Sequence, residues 1–409
     1  MNISYTQKEI TRTIFSFKDE LSAELKSILE WWMNEMVDED LGGFYGRIDG
    51  NNVLHPKAEK GLILNTRILW SFAAAYHLLS EAHYKKIADR AFDYLLDNFW
   101  DDTTQGLFWM LDATGKPTNT KKQVYGQAFG IYAFAEYYSI SEDHRALEHA
   151  LKLFDCIEQY SFDSTYGGYL EAFTGDWHPI ADLRLSEKDA NEAKTMNTHL
   201  HIMEAYTRLY EVRKDSKVEA ALRKLIQDFL ERFIHPQTKH LHLFFDEQWN
   251  VKSTAVSYGH DIECSWLLYE AAEVLGDDLL KEKVEKIALE IAEITLDEAI
   301  DETGGVIYES ENRHQDKEKH WWVQAEAVVG FFNALELSGK KKYLTASLNC
   351  WTFIQQKILD RIYGEWKWSV TKDNLTNVTE DKAGAWKAPY HNSRMCIEII
   401  KRVEKHFLL

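Results

Sequence analysis

Short glycine-aromatic stretches recur along the chain: LGGFYG at Leu41–Gly46, QGLFWM at Gln105–Met110, YGGYLEAF at Tyr166–Phe173, TGGVIYES at Thr303–Ser310 and YGEWKW at Tyr363–Trp368. Between Gly43, Gly106, Gly168, Gly305 and Gly364 the steps are 63, 62, 137 and 59 residues. The double step predicts a further member near position 236, where HPQTKHLHLFFDEQWN (His235–Asn250) stands with its glycines replaced. That makes six units. Self-similarity at such a period marks a repeat architecture, in which each unit buries its apolar face only against its neighbours.

Every unit carries the same parts. An amphipathic helix comes first, as in HYKKIADRAFDYLLDNFW (His83–Trp100) or DDLLKEKVEKIALEIAEITL (Asp277–Leu296). The glycine-aromatic hairpin follows, then a helix apolar nearly all round, such as GLILNTRILWSFAAAYHLL, QVYGQAFGIYAFAEYY or WVQAEAVVGFFNALE. Helices of the second kind are buried and those of the first face water. The alternation predicts an all-α fold of two concentric rings, an (α/α)6 barrel of helix-pair repeats with short hairpins at one end. Only five prolines, none inside these patterns, fit such a body. At 409 residues the chain exceeds the usual domain size, yet a closed barrel can run that large, so residues 1–409 are expected to be one domain.

The bulk properties narrow the function. A net charge of −19 leaves no surface to neutralise phosphates, so nucleic acid is not an expected partner. No glycine-rich phosphate loop occurs, and no apolar run is long enough to span a membrane. MNISYTQKEITRTIFSF lacks the pattern of a signal peptide and reads as the start of a helix. Cys156, Cys264, Cys350 and Cys396 lie scattered in apolar helical segments without CxxC spacing, as reduced core residues of a cytoplasmic protein would. Nothing advertises an interface, and a monomer is expected.

Aligned, the apolar helices share an oddity: their polar residues sit in the first turns. These are Arg67; Tyr125 and Gln127; Asn197, His201 and Glu204; His260 and Glu263; Gln324 and Glu326; His391 and Arg394. In an up-down ring the inner helices run one way, so these turns converge on one mouth, where helix N-termini add partial positive charge. His201–Glu204, His260–Glu263 and His391–Arg394 are i,i+3 pairs, each on one helix face. A carboxylate beside an imidazole fixes its tautomer and raises its basicity. His199, two residues from His201, points elsewhere and is expected to be structural.

MNTHLHIMEAY (Met196–Tyr206), SYGHDIECSWL (Ser257–Leu267), WWVQAEAVVGF (Trp321–Phe331) and WKAPYHNSRM (Trp386–Met395) resemble the cellobiose 2-epimerases of the N-acylglucosamine 2-epimerase superfamily. The resemblance covers essentially the whole chain. It implies an (α/α)6 barrel and a reversible C2 epimerisation of the reducing-end glucose of β-1,4-linked disaccharides, such as cellobiose and lactose, without metal or other cofactor. By the same resemblance His260 and His391 are the acid/base pair, and Arg67, Asn197, His201 and Glu263 hold the sugar and the histidines. Tyr125 contacts substrate, Trp321, Trp322 and Trp386 form the sugar cleft, Asp189 is a weaker match, and Arg394 joins the substrate-binding set.

The implied chemistry suits these residue types. Ring opening needs a proton delivered to the ring oxygen and one taken from the anomeric hydroxyl. Loss of the hydrogen alpha to the aldehyde leaves an enediolate, which a fixed guanidinium stabilises. Two histidines, or one with rotation of the intermediate, would invert C2; the residues leave both open. An aldose–ketose isomerase acting on mannose, or an N-acylglucosamine epimerase, would use the same set. A glycoside hydrolase would want two carboxylates flanking the bond. A metal-dependent isomerase could use the HxxE pairs, although Arg67 and Arg394 would repel the ion. A non-catalytic sugar-binding module would leave three histidines without a task.

Overall fold

A computed structural model describes residues 7–407 apart from 313 and 374, so the first residues of the expected N-terminal helix lie outside the described residues. Among the described residues there are twelve α-helices. The outer ones are α1 (Gln7–Glu35), α3 (Ala82–Tyr94), α5 (His144–Cys156), α7 (Ser216–Asp228), α9 (Asp278–Glu298) and α11 (Lys341–Phe353). The inner ones are α2 (Leu62–Leu79), α4 (Val124–Ser141), α6 (Met196–Val212), α8 (Tyr258–Leu275), α10 (Trp321–Ser338) and α12 (Tyr390–Phe407). Each inner helix packs on the next, and α12 packs back on α2, so the ring closes. Each outer helix lies against the inner helix before it, with α1 on α12. The chain forms a closed (α/α)6 barrel.

Local chemistry explains the alternation. α2, α4 and α10 are buried through most of their length because apolar residues surround them, whereas the outer helices bury only one stripe. Tight links join inner to outer helices at the far end, where Ser80, Glu142, Gly276 and Gly339 take left-handed capping conformations. Asp143, Asp215 and Asp277 cap the outer helices that follow. Four outer helices end in a widened π turn, which shortens the α-helical part of His83–Trp100 relative to the sequence pattern.

The long connections return at the mouth, and each begins with a one-bridge turn. The six bridges are Val37 to Phe44, Trp100 to Leu107, Phe162 to Tyr169, Ile234 to Leu241, Ile300 to Val306 and Leu359 to Trp366. The fourth is the unit whose glycines are missing from the sequence; Lys239 takes φ 66° there in place of a glycine. Two-residue strands then stitch the units together, Lys60–Gly61 to Met110–Leu111, Lys122–Gln123 to Ala172–Phe173, and Lys194–Thr195 to Phe244–Phe245. The stitch closes from the last unit to the first through Ile48 and Ala383. These pairs feed the inner helices: the first N–H of α2, α4, α6 and α10 donates to Trp109, Glu171, Leu243 and Trp368 carbonyls, which satisfies donors that a helix start leaves bare.

A buried ion pair locks five of the six turns. Asp38, Asp101, Asp163, Asp301 and Asp360 accept backbone N–H groups within their turns. Each also binds a lysine from the strand or loop before the inner helix: Lys60, Lys122, Lys194, Lys319 and Lys382, at 2.5–2.9 Å. In the fourth unit both partners change together. His235 Nδ1 receives the turn's N–H groups, and Val256 stands where the lysine would be. Removing one side alone would leave a buried charge uncompensated, which is why the two differ jointly. All four cysteines are buried and unpaired, as core residues should be. No helix among the described residues is long and apolar enough to cross a membrane.

Lys122→Met is expected to lower the unfolding free energy by about 3–5 kcal/mol. Lys252→Met, which strips the surface partner of Asp246, should cost less than about 1 kcal/mol. Urea denaturation followed by circular dichroism separates them, and equal losses would refute the locking role of the turn pairs.

Candidate active site

The N-terminal turns of the inner helices enclose a cavity of about 450 Å³. Helix register decides what enters it. The second residues of α4, α6, α10 and α12 are Tyr125, Asn197, Trp322 and His391, the third of α8 is His260, and the sixth of α2, α6 and α8 are Arg67, His201 and Glu263. All line the cavity, with Trp321, Trp386 and Asp189. The fourth residues of α4, α6, α8 and α10 turn away, onto the hairpin of their own unit. Gln127 brackets the Leu107 backbone, and Gln324 that of Val306. His199 Nε2 accepts from Tyr169 N–H, and Asp261 from Leu241 N–H. His199 is structural, as its position in the sequence suggested, and Gln127 and Gln324 join it.

Three imidazoles face the cavity with Nδ1 engaged. His391 Nδ1 lies 2.7 Å from Glu326 Oε1, His201 Nδ1 2.8 Å from Glu204 Oε2, and His260 Nδ1 2.8 Å from Ser257 Oγ. No partner occupies Nε2 of any of the three among the described residues. An ionised carboxylate only accepts, so Nδ1 carries the proton in His391 and His201 and Nε2 keeps its lone pair. A serine hydroxyl both donates and accepts, so His260 can hold either tautomer. The sequence expectation that Glu263 backs His260 is therefore not met, and His391 and Arg394 do not bond each other. Both reach Glu326 instead. Burial drives His391 and His260 down to about 3; Glu326 opposes this in His391, and the neighbouring His201 ring adds to it in His260.

Arg394 lies beneath the cavity, not in its wall, a correction to its expected place among the sugar contacts. It is 1% exposed and donates to Glu204, to Glu263 at 2.5 Å and to Glu326 at 2.7 Å, and it also contacts the Tyr390 hydroxyl. Burial raises the Glu326 carboxyl, but Arg394 and His391 outweigh it and hold the group down at about 2. Arg67 is the buried cation of the wall. Its Nη2 donates to Tyr125 Oη at 2.8 Å and its Nη1 to the Trp386 carbonyl at 3.3 Å, with the Phe129 ring 4.5 Å from the guanidinium. Asn197 Oδ1 has no hydrogen-bond partner among the described residues. Trp322 packs on His260 and His391, ring centres 4.8 and 5.7 Å apart. Trp386 leans on Tyr125 and Trp109, and Trp321 packs on Trp368. Asp189 is occupied within its own loop, accepting from Ser186 N–H and Oγ.

Four residues that sequence reasoning did not single out as site residues belong here. Ser257 orients His260, and Glu326, recognised in the sequence only as a polar residue of its helix, orients His391. Tyr308 and Glu309 line the mouth; Tyr308 stacks on His320 at 3.9 Å, and burial raises the Glu309 carboxyl to about 7. Tyr308 was visible as a repeat position, because Trp109, Leu243 and Trp368 hold the same place in other hairpins. Among the described residues Glu263, Glu326 and His391 alone bring three ligating atoms within 4.8 Å of one another. A guanidinium nitrogen already donates to both carboxylates, so a fixed cation stands where an ion would bind, and the trio does not fit a metal.

Residues 43–394 match the family model of N-acylglucosamine 2-epimerase (GlcNAc 2-epimerase). The chain belongs to the N-acylglucosamine 2-epimerase family and is an enzyme of the isomerase class. Within the family it is 50% identical over 386 residues to the cellobiose 2-epimerase of Bacteroides fragilis, spanning 94% of this chain and 98% of that one. The solved cellobiose 2-epimerase of Bacillus thermoamylovorans B4167 superposes with a TM-score of 0.92 at 38% identity, covering 95% of this chain and all (100%) of the other. A solved D-mannose isomerase shares the fold with a TM-score of 0.83 at 20% identity, covering 98% of this chain and 100% of the other.

With both imidazoles held neutral, His260 and His391 are expected to show no protonation between pH 8 and pH 6. Their folded pKa values lie below the unfolded ones, so charging them demands acid well beyond the ordinary histidine range. Imidazole NMR titration, with His260→Asn and His391→Asn to assign the signals, checks this; a midpoint near the ordinary value of about 6.5 would refute it.

Proposed function

We propose that the chain epimerises C2 of the reducing-end glucose in β-1,4-linked disaccharides such as cellobiose, through an enediolate and without a cofactor. The observation that carries this reading is the set of three imidazoles with engaged Nδ1 atoms and free Nε2 atoms around one cavity, beside a fixed guanidinium. The names of the relatives support the substrate: a relative 50% identical over 94% of this chain and a solved structure 38% identical over 95% of it are cellobiose 2-epimerases.

Once the ring is open, Nε2 of His391, its lone pair secured by Glu326, takes the proton from C2. The C–H electron pair forms the C1–C2 double bond, and the aldehyde oxygen becomes anionic. Arg67 faces that charge as a permanent cation held by Tyr125 and the Trp386 carbonyl. His260, charged beside the enediolate anion by a proton taken up from solvent, returns that proton to C2 from the other face, giving mannose configuration, and His391 releases the abstracted proton to solvent. His201 and Asn197 hold the hydroxyls of the reacting sugar, and Trp322 and Trp386 offer aromatic faces to the C–H faces of the disaccharide. Proton return to C1 in place of C2 would give a ketose, so some isomerisation accompanies the reaction.

Metal-stripped protein incubated with cellobiose in deuterated water should yield glucosyl-mannose carrying deuterium at C2, followed by proton NMR. His391→Ala should lower kcat by at least a hundredfold, at the scale of a lost acid/base group. Unchanged cellobiose, with mannose converted to fructose under the same conditions, would move the function to a monosaccharide isomerase on this scaffold. Release of free glucose would mean hydrolysis and would overturn the proposal.

A further inference from the structure

Resting on the epimerase reading above, we infer that Glu263 works as a neutral carboxylic acid, keeping its proton at working pH and donating it as a hydrogen bond to a sugar oxygen. Three carboxylates from three helices, Glu204, Glu263 and Glu326, converge on the single guanidinium of Arg394, and none of the four side chains is more than 2% exposed. Three anions against one cation in so dry a place cannot all persist.

Compensation is unequal among them. Glu204 has Arg394, the His201 ring and the Tyr390 hydroxyl. Glu326 has Arg394 and the His391 ring. Glu263 has Arg394 on Oε1 alone, no partner is found for Oε2 among the described residues, and the residue lines the sugar cavity. The groups around it are Arg67 from α2, Tyr125 from α4, His201 and Glu204 from α6, Glu326 from α10, and Tyr390, His391 and Arg394 from α12. Its own helix adds His260 and Asp261, the latter bound to His240. Burial, with the Glu326 charge second, pushes the Glu263 carboxyl up to about 8.

The charge count then becomes functional. With Glu263 protonated and the histidines neutral, Arg67 and Arg394 balance Glu204 and Glu326, and this buried cluster is neutral before reaction. An ionised Glu263 would leave a net negative charge beside a substrate that is about to become an anion. A protonated one adds a donor that strengthens as negative charge develops on the sugar oxygen.

Infrared difference spectra of wild type minus Glu263→Gln at pH 7 should show the carbonyl stretch of a protonated carboxyl. In wild type that band should disappear with a midpoint near 8. For cellobiose, kcat/KM of wild type should fall above that pH. Glu263→Gln should run about tenfold slower at pH 7, the scale of one weakened hydrogen bond, and stay flat to pH 9. Glu326→Gln, which removes the crowding charge, should shift the band's midpoint downward, and serves if Glu263→Gln does not fold. No protonated band at pH 7, or an alkaline limb that persists in Glu263→Gln, overturns the inference. A band with the expected midpoint but no turnover of cellobiose would sink the epimerase reading and the donor role, while the proton assignment would stand.

Discussion

Arg394 is the interaction on which the site depends. Its guanidinium joins carboxylates from α6, α8 and α10 to α12, binding four of the six inner helices at the depth where the cavity ends. Two of those carboxylates pass the constraint upward, Glu204 to His201 and Glu326 to His391. The positions of two imidazoles are thus set by one buried cation whose rigid fork offers several donors at fixed angles. A lysine in its place would supply one point charge and could not orient three partners.

Around that centre the repeat is reused with a strict division of labour. The fourth residues of α4, α6, α8 and α10 bond the hairpin that precedes their helix, whatever their type: Gln127, His199, Asp261 and Gln324 all reach a backbone group. Second and sixth residues face the axis and are free to specialise, giving Tyr125, Asn197, Trp322 and His391 in one layer and Arg67, His201, Glu263 and Glu326 in the other. The ion pairs of the turns and the strand stitches hold the hairpins still. Positions that face the cavity can therefore diverge without loss of the ring.

This division explains what was legible in the sequence. The sixty-residue period and the contrast between charged-striped and wholly apolar helices are local properties, so the closed double ring followed, including a fourth unit without its glycines. Which polar residues share a mouth followed from helix polarity. What each one touches did not. His260 and Glu263 are i,i+3 neighbours on one helix, yet His260 pairs with Ser257, the cap residue just before that helix, while Glu263 meets Arg394 of α12 across the ring. His391 finds Glu326 sixty-five positions away by the same geometry. Arg394 was placed correctly at the cavity end of its helix but one layer too high. It is the fifth residue of α12, and it points below the layer of second residues.

The arrangement also bears on the hydrolytic alternative that such barrels invite. Hydrolysis needs an acid and a second carboxylate about 5–9.5 Å apart across a glycosidic bond, each with its own freedom to titrate. Here Glu263 and Glu326 lie closer, with ligating atoms within 4.8 Å, and both are tied to one guanidinium. Glu204 and Glu326 are spent on orienting imidazoles, so neither is free to attack an anomeric carbon or to activate water. The groups left facing the cavity are neutral imidazoles, Glu263 tied to Arg394, and the fixed cation Arg67, a set that suits the proposed proton transfer at carbon better than a bond cleaved by water.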